Sequence, residues 1–338
     1  MIGSGSWFRD HQIRYLAHTQ PALRSPLGSR TRERCRTVNT SSSENEILEL
    51  RFGPYAAVIS SQGAALQTLR YEQRDLVLPF EPRSNTTDFR GVICAPWPNR
   101  LADGRYRWDG REIQADTNEP DRRNALHGMV FDRRWSVIAV RENSLTLATT
   151  LSQEVGYPFE LLLQVTYALG PAGLTGTIIA TNTGTKTLPY GSCPHPYLVA
   201  GDSPMHQWVV TIPADSFLET SPDRLLPLRE VKVEGSHFDF RRGEFLQGIR
   251  IDHAFTKVNR GSDGLARVTL REPSGTGVEL AFGQEWPWLQ ICTGSKPELG
   301  LAVEPMTCPP DAFNNRLDIV LLGPGESHRG TWFIRALH

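Results

Sequence analysis

From Ile47 onward, apolar and polar residues alternate with a period of two. ILELRF, YAAVIS, LQTLRY, LTLATTL, ELLLQVTYAL, LTGTIIATN, QWVVTIP, VELAF, WLQIC and GTWFIRAL all read this way, and few windows of helical length carry a 3.6-residue stripe. Side chains of a pleated strand point to its two faces in turn, so this spacing predicts an all-β chain. Turn residues separate the runs: RYRWDGREIQ places Asp109-Gly110 at a tight hairpin, YALGPAGLTGT turns at 171–173, and VTLREPSGTGVEL turns around 274–277. No repeat of fixed period occurs, which disfavours a propeller or solenoid. The expectation is one large, mostly antiparallel β-sandwich domain over residues 45–338.

The first forty residues break the pattern. They hold seven Arg against two acidic residues, with several Ser, Pro and Gly, and run through the unpatterned SPLGSRTRERCRTVNTSSS. This composition predicts a disordered N-terminal extension over residues 1–44. An Arg-rich, acid-poor leader also fits an organelle-targeting segment as well as a plain flexible tail.

Charge and cysteine use narrow the partners. Lys and Arg number 36 against 37 Asp and Glu, for a net charge of -1, so no overall field draws in nucleic acid or an anionic membrane. A small neutral ligand fits better. No apolar run reaches the roughly eighteen residues of a membrane helix. The five cysteines, Cys35, Cys94, Cys193, Cys292 and Cys308, are odd in number and lack a CxxC pair. That pattern argues against a disulfide framework and for a reducing, cytoplasmic setting.

Four stretches place polar groups where strands meet loops. LAVEPM puts Glu304 between Val303 and Pro305, and an ionised group taken out of water costs several kcal/mol, very roughly, unless it is paired. APWPNRLADGRY delivers Asn99 and Arg100 after two prolines, NALHGMVF sets His127 between Leu126 and Gly128, and CPHPYLVAG holds His195 between Pro194 and Pro196. A lone Arg is more often a surface charge, and a lone His more often hydrogen-bonded structure than a catalyst.

Other chemistries fail on spacing. There is no HExxH or HxH for a metal, no GxSxG elbow, and no Walker loop, because TGSK at 293–296 lacks the leading glycine. Cys193 and His195 would share a face of an extended segment, but no oxyanion motif accompanies them. What remains is a pool of His, Glu, Asp, Asn and Arg on an all-β frame, an inventory suited to proton transfer on a polyhydroxylated ligand. Trp97, Trp286, Trp288 and Phe313 could stack on a sugar ring or belong to the core.

PWPNRLADGRY, NALHG, HPYLVAG, DHAFT at 252–256 and VEPMTCPPDAFN together resemble, in order and spacing, the aldose 1-epimerases, also called galactose mutarotases. The likeness runs from Ile47 to the C-terminus. It implies a galactose-mutarotase-like β-supersandwich with an open cleft, a small-molecule sugar substrate, no metal or organic cofactor, and a monomer or weak homodimer. By the same resemblance His195 is the catalytic acid and Glu304 the base, while Arg100, His127 and Asp252, with Asn99 beside them, grip the sugar. The family's usual Asn before the acid histidine is Pro194 here, and Pro196-Tyr197-Leu198 follows it. His253, next to Asp252, is expected to face solvent. Two other functions fit the same residues: a hexose-6-phosphate 1-epimerase, with Arg70, Arg74, Arg90 or Arg122 as phosphate cations, and a non-catalytic sugar-binding or sensing protein.

Overall fold

The alternating runs become strands at almost the expected bounds, among them Ile47–Phe52, Tyr55–Ser60, Tyr157–Gly170, Gly173–Asn182, Gly277–Phe282, Trp288–Cys292 and Ser327–Leu337. The computed structural model describes residues 36–38, 45–80, 88–294 and 300–338. These described residues form one compact unit. Within the segment expected to be disordered, Arg36–Val38 pairs antiparallel with Ile47–Glu49; the rest of residues 1–44 lies outside the described residues.

The fold is a β-supersandwich of antiparallel sheets. One sheet has nine strands, running from Ser136–Val140 through Tyr157–Gly170 and Ser327–Leu337 to Glu244–Phe245. A second has six, in the order Tyr197–Leu198, Leu301–Met306, Trp288–Cys292, Asp252–Val258, Ala214–Thr220 and Pro227–Lys232. A five-stranded sheet covers the N-terminal part of the unit. The expected tight hairpin is present: Asp109 and Gly110 both have positive φ, 47° and 73°, as a two-residue turn matched to strand twist requires.

Burial along the strands shows how the layers meet. Tyr157–Gly170 is buried at every second residue, as a strand with one covered face should be. Leu301–Met306 is buried throughout, so both faces of the six-stranded sheet are covered at that strand. Leu289, Ile291, Val303 and Phe255 point to the main core, which they share with Leu161, Val165, Leu280 and Ile334 of the nine-stranded sheet. Fully burying each such side chain contributes about 1.5–3 kcal/mol. The opposite face carries a smaller apolar cluster of Cys94, Cys193, Ala254, Trp288 and Met306.

Register then decides which polar residues meet on that second face. Gln290 pairs with Glu304 and with Ala254, while Cys292 pairs with Ala302 and Asp252, and Tyr197 with Ala302. Directly paired residues of antiparallel strands point the same way. Glu304, Gln290, Asp252, Cys292 and Tyr197 therefore share one face of the sheet.

Candidate active site

Three loop segments bring the remaining groups over this face. His195 lies between the short strand Cys193–Pro194, which pairs with Ile93–Cys94, and Tyr197–Leu198. Its N–H donates to the Val92 carbonyl at 3.0 Å and its carbonyl accepts from the Gly91 N–H at 2.8 Å, while Val303 N–H donates to the Pro196 carbonyl. These bonds fix the histidine above the strand that carries Glu304. His195 Nε2 lies 3.2 Å from Glu304 Oε1, with both side chains almost fully buried.

Asn99 and His127 hold one another. The Asn99 N–H donates to His127 Nδ1 at 3.3 Å, the His127 N–H donates to the Asn99 carbonyl at 2.9 Å, and Asn99 Oδ1 accepts from the Arg100 N–H. Both residues sit in the left-handed region, at φ 55° and 63°, which few side chains other than Asn, Asp and His adopt readily. Gly128 follows at φ 75°, and a Cβ there would lie 2.1 Å from the Ala95 carbonyl oxygen, so only glycine fits. Because Nδ1 of His127 accepts, its neutral ring carries the proton on Nε2. His195 has no such constraint: its Nδ1 is buried without a partner among the described residues.

Arg100 lies between two carboxylates. Its Nε donates to Glu119 Oε2 at 3.0 Å and its Nη2 to Glu119 Oε1 and Asp252 Oδ2, each at 3.1 Å. Burial opposes its charge, yet Asp252 and Glu119 outweigh that and keep it protonated. Asp252 Oδ1 accepts from Gln290 Nε2 at 2.6 Å. The other end of that amide, Gln290 Oε1, is buried and unpartnered among the described residues.

These groups line a cavity of about 550 Å³, a size that suits a small molecule. All six expected site residues, Asn99, Arg100, His127, His195, Asp252 and Glu304, border it. So do Gln290, Glu119, Phe89 and Tyr197, which the sequence pattern did not single out. The Phe89 ring packs on His127 at 4.7 Å, and Tyr197 stacks on His195 at 5.5 Å. Phe89 and Tyr197 supply the aromatic walls. Trp97, Trp286, Trp288 and Phe313 are instead buried away from the cavity. His253, expected to face solvent, is half-buried and also borders the cavity; its ring packs on Phe238 at 4.6 Å, and its Nδ1 accepts from the Asp252 N–H. Of the four arginines considered for a phosphate, only Arg122 borders the cavity, paired with Glu119; Arg74 spends its guanidinium on the carbonyls of Ala200, Gly277 and Leu337.

Burial controls protonation. It lowers His195 to about 4 and pushes Glu304 well above its usual range, with the Asp252 charge adding to the rise in Glu304. An imidazolium facing a carboxylate in the free protein is therefore disfavoured. Transfer of one proton across 3.2 Å gives the neutral pair, which burial favours. Burial also drives His127 well below 6.5, so it stays a neutral Nε2–H donor. The Cys193 thiol, fully buried and pushed well above 9, is no thiolate nucleophile.

Ligand atoms of His127, His195 and Glu304 lie within 4.8 Å of one another, as do those of Cys94, His127 and Cys193. Separate segments thus converge in a way that short-range spacing could not reveal. Both sets use His127, whose Nδ1 already accepts a hydrogen bond and whose Nε2 bears the proton, and a metal would need that nitrogen's lone pair. The donor set fits proton transfer better than coordination.

A family model described as aldose 1-epimerase matches residues 46–334. The chain belongs to the aldose 1-epimerase family. Among relatives in that family, human galactose mutarotase is 31% identical over 314 residues, spanning 81% of this chain and 89% of that protein. The Escherichia coli uncharacterized protein YihR is 32% identical over 297 residues, spanning 87% and 94%. In fold, a galactose mutarotase-like protein from Clostridium acetobutylicum superposes with a TM-score of 0.78 at 19% identity, covering 89% of this chain and 98% of that one.

Proposed function

We propose that this chain interconverts the α and β anomers of a free hexose of the glucose or galactose type by acid–base ring opening, using only its own side chains. The observation that carries this reading is the His195–Glu304 contact at 3.2 Å in the cavity. The anomeric hydroxyl and the ring oxygen are bonded to the same carbon, so one proton-sharing pair can reach both. Glu304 takes the proton from O1 as His195 delivers one to the ring oxygen; the C1–O5 bond breaks and C1=O1 forms. After rotation about C1–C2 the two groups exchange roles and the ring closes on the other face. The pair needs one mobile proton, not a permanent imidazolium. His127 Nε2–H supports the ring oxygen, and Arg100, Asp252 and Gln290 hold ring hydroxyls.

The test is polarimetry on freshly dissolved α-glucose and α-galactose with the wild type, His195→Asn and Glu304→Gln. Catalysed equilibration that falls on the order of a hundredfold to ten-thousandfold in each variant is expected. A wild type inert on every free sugar would overturn the reading. The sugar-phosphate alternative has one observation in its favour: Arg250 borders the cavity, is exposed, and makes no ion pair among the described residues. Glucose 6-phosphate and galactose 6-phosphate are therefore run beside the free sugars. Catalysis confined to the phosphates would favour that alternative.

A further inference from the structure

The mechanism leaves one buried group beside Glu304 without a task. Cys193 Sγ lies 3.7 Å from Glu304 Oε2, with the thiol as donor, on the carboxyl oxygen that does not face His195. We propose that Cys193 is a positioning residue for Glu304, its thiol fixing the carboxyl group so that Oε1 is turned to His195 and the cavity. This deepens the acid–base reading above and rests on it.

Backbone bonds set the placement from both ends. Ser192 and Thr307 exchange two bonds, N–H to Oγ1 at 2.9 Å and N–H to carbonyl at 3.1 Å, and Val303 N–H donates to the Pro196 carbonyl at 3.1 Å. The 192–196 segment is thus registered against 303–307, and Cys193 cannot slide relative to Glu304. Cys94, directly opposite Cys193 in the short strand pair, closes the space behind the thiol. A carboxyl group turns freely about its last bond unless both oxygens are engaged, and here a different donor or acceptor meets each one.

The thiol also acts on protonation. Glu304 is faced by His195, His127, Cys193, Cys94 and Tyr197 from the covering segments, by Arg100 across the cavity, and by Gln290, Asp252 and Cys292 on its own sheet. Burial and Asp252 favour the protonated acid, while Cys193 and Arg100 oppose them. Removing the thiol would leave Glu304 holding its proton more tightly. If activity needs one proton on the His195–Glu304 pair, the alkaline limb of the rate profile then moves to higher pH.

The experiment compares Cys193→Ala, Cys193→Ser and Cys94→Ala. Cys193→Ala should lose about tenfold in kcat, the scale of one lost hydrogen bond to a charged group, with its alkaline limb moved upward. Cys193→Ser keeps a donor and should restore both. Cys94→Ala removes the same sulfur volume from the same small core and should leave the limb in place. A second measurement needs no sugar: the S–H infrared band of Cys193, identified by its loss in Cys193→Ala, should shift as the wild type is titrated and be pH-independent in Glu304→Gln. An active enzyme with an unshifting S–H band, or a Cys193→Ala limb identical to wild type, would overturn the proposal alone. A responsive S–H band in a protein inert on free sugars would overturn the hexose reading and support the thiol contact.

Discussion

Gln290 stands directly opposite Glu304 on the neighbouring strand, one end of its amide bound to Asp252 and the other buried in the cavity without a partner among the described residues. An orphaned buried acceptor is a cost in the free protein that a ligand hydroxyl removes. Gln290→Leu keeps the volume and deletes that acceptor. Its KM should rise about tenfold with a smaller change in kcat, as removal of uniform binding predicts. Initial-rate polarimetry over a range of sugar concentrations checks this, and an unchanged KM would place the amide outside the substrate's reach.

The pair of titrating groups should give a bell-shaped profile with unusual ownership of its limbs. Burial lowers His195 to about 4, so the acidic limb, where the pair gains a second proton, should lie near there and not near 6.5. Glu304, raised by burial, should own the alkaline limb, where the last shared proton leaves. The two limbs belong to the coupled pair as macroscopic values. A profile of kcat/KM against pH measures both, and an acidic limb close to 6.5 would mean that the free protein holds a solvated imidazole.

Arg100 joins Glu119 and Asp252 with a planar fork, and Lys offers a single point charge in its place. Arg100→Lys should raise KM on the order of tenfold to a hundredfold while the enzyme remains folded, because Glu119 keeps its bond to Asn124. Circular dichroism and concentration-dependent rates separate the two effects. An unaltered KM would show that Arg100 serves the loop at Glu119 and not the sugar.

Gly128→Ala tests the support under His127. With φ at 75° and a Cβ that would meet the Ala95 carbonyl at 2.1 Å, the backbone must move. Stability should fall by about 2 kcal/mol or more, and activity should fall with it as the His127 ring shifts. Urea unfolding gives the first quantity and polarimetry the second.

Most of the sheet architecture could be read from the chain, because alternation and turn residues act locally, and the six residues that the family resemblance singled out border one cavity. What could not be read depends on register and depth. Gln290 sits in WLQIC between Leu289 and Ile291, a polar residue in a buried strand, the same signal that drew attention to Glu304; its importance comes from standing opposite that residue, which one strand's pattern cannot show. Glu119 lies in a polar loop and gains meaning only where Arg100 folds onto it. The protonation of His195 depends on how completely Phe89, Tyr197 and His127 cover the ring. The four aromatic residues considered as sugar platforms went to the core, where large rings most often belong.

Pro194 and Pro196 flank His195 on either side. Neither has an N–H to offer a neighbouring strand, and each confines its own φ and the backbone of the residue before it. The chain around this histidine therefore has few shapes to choose from even before the protein folds, so less disorder is surrendered when the ring is set in place. Stiffness written into three consecutive residues, together with the backbone bonds to Gly91, Val92 and Val303, lets a short segment present its side chain as steadily as a long strand would.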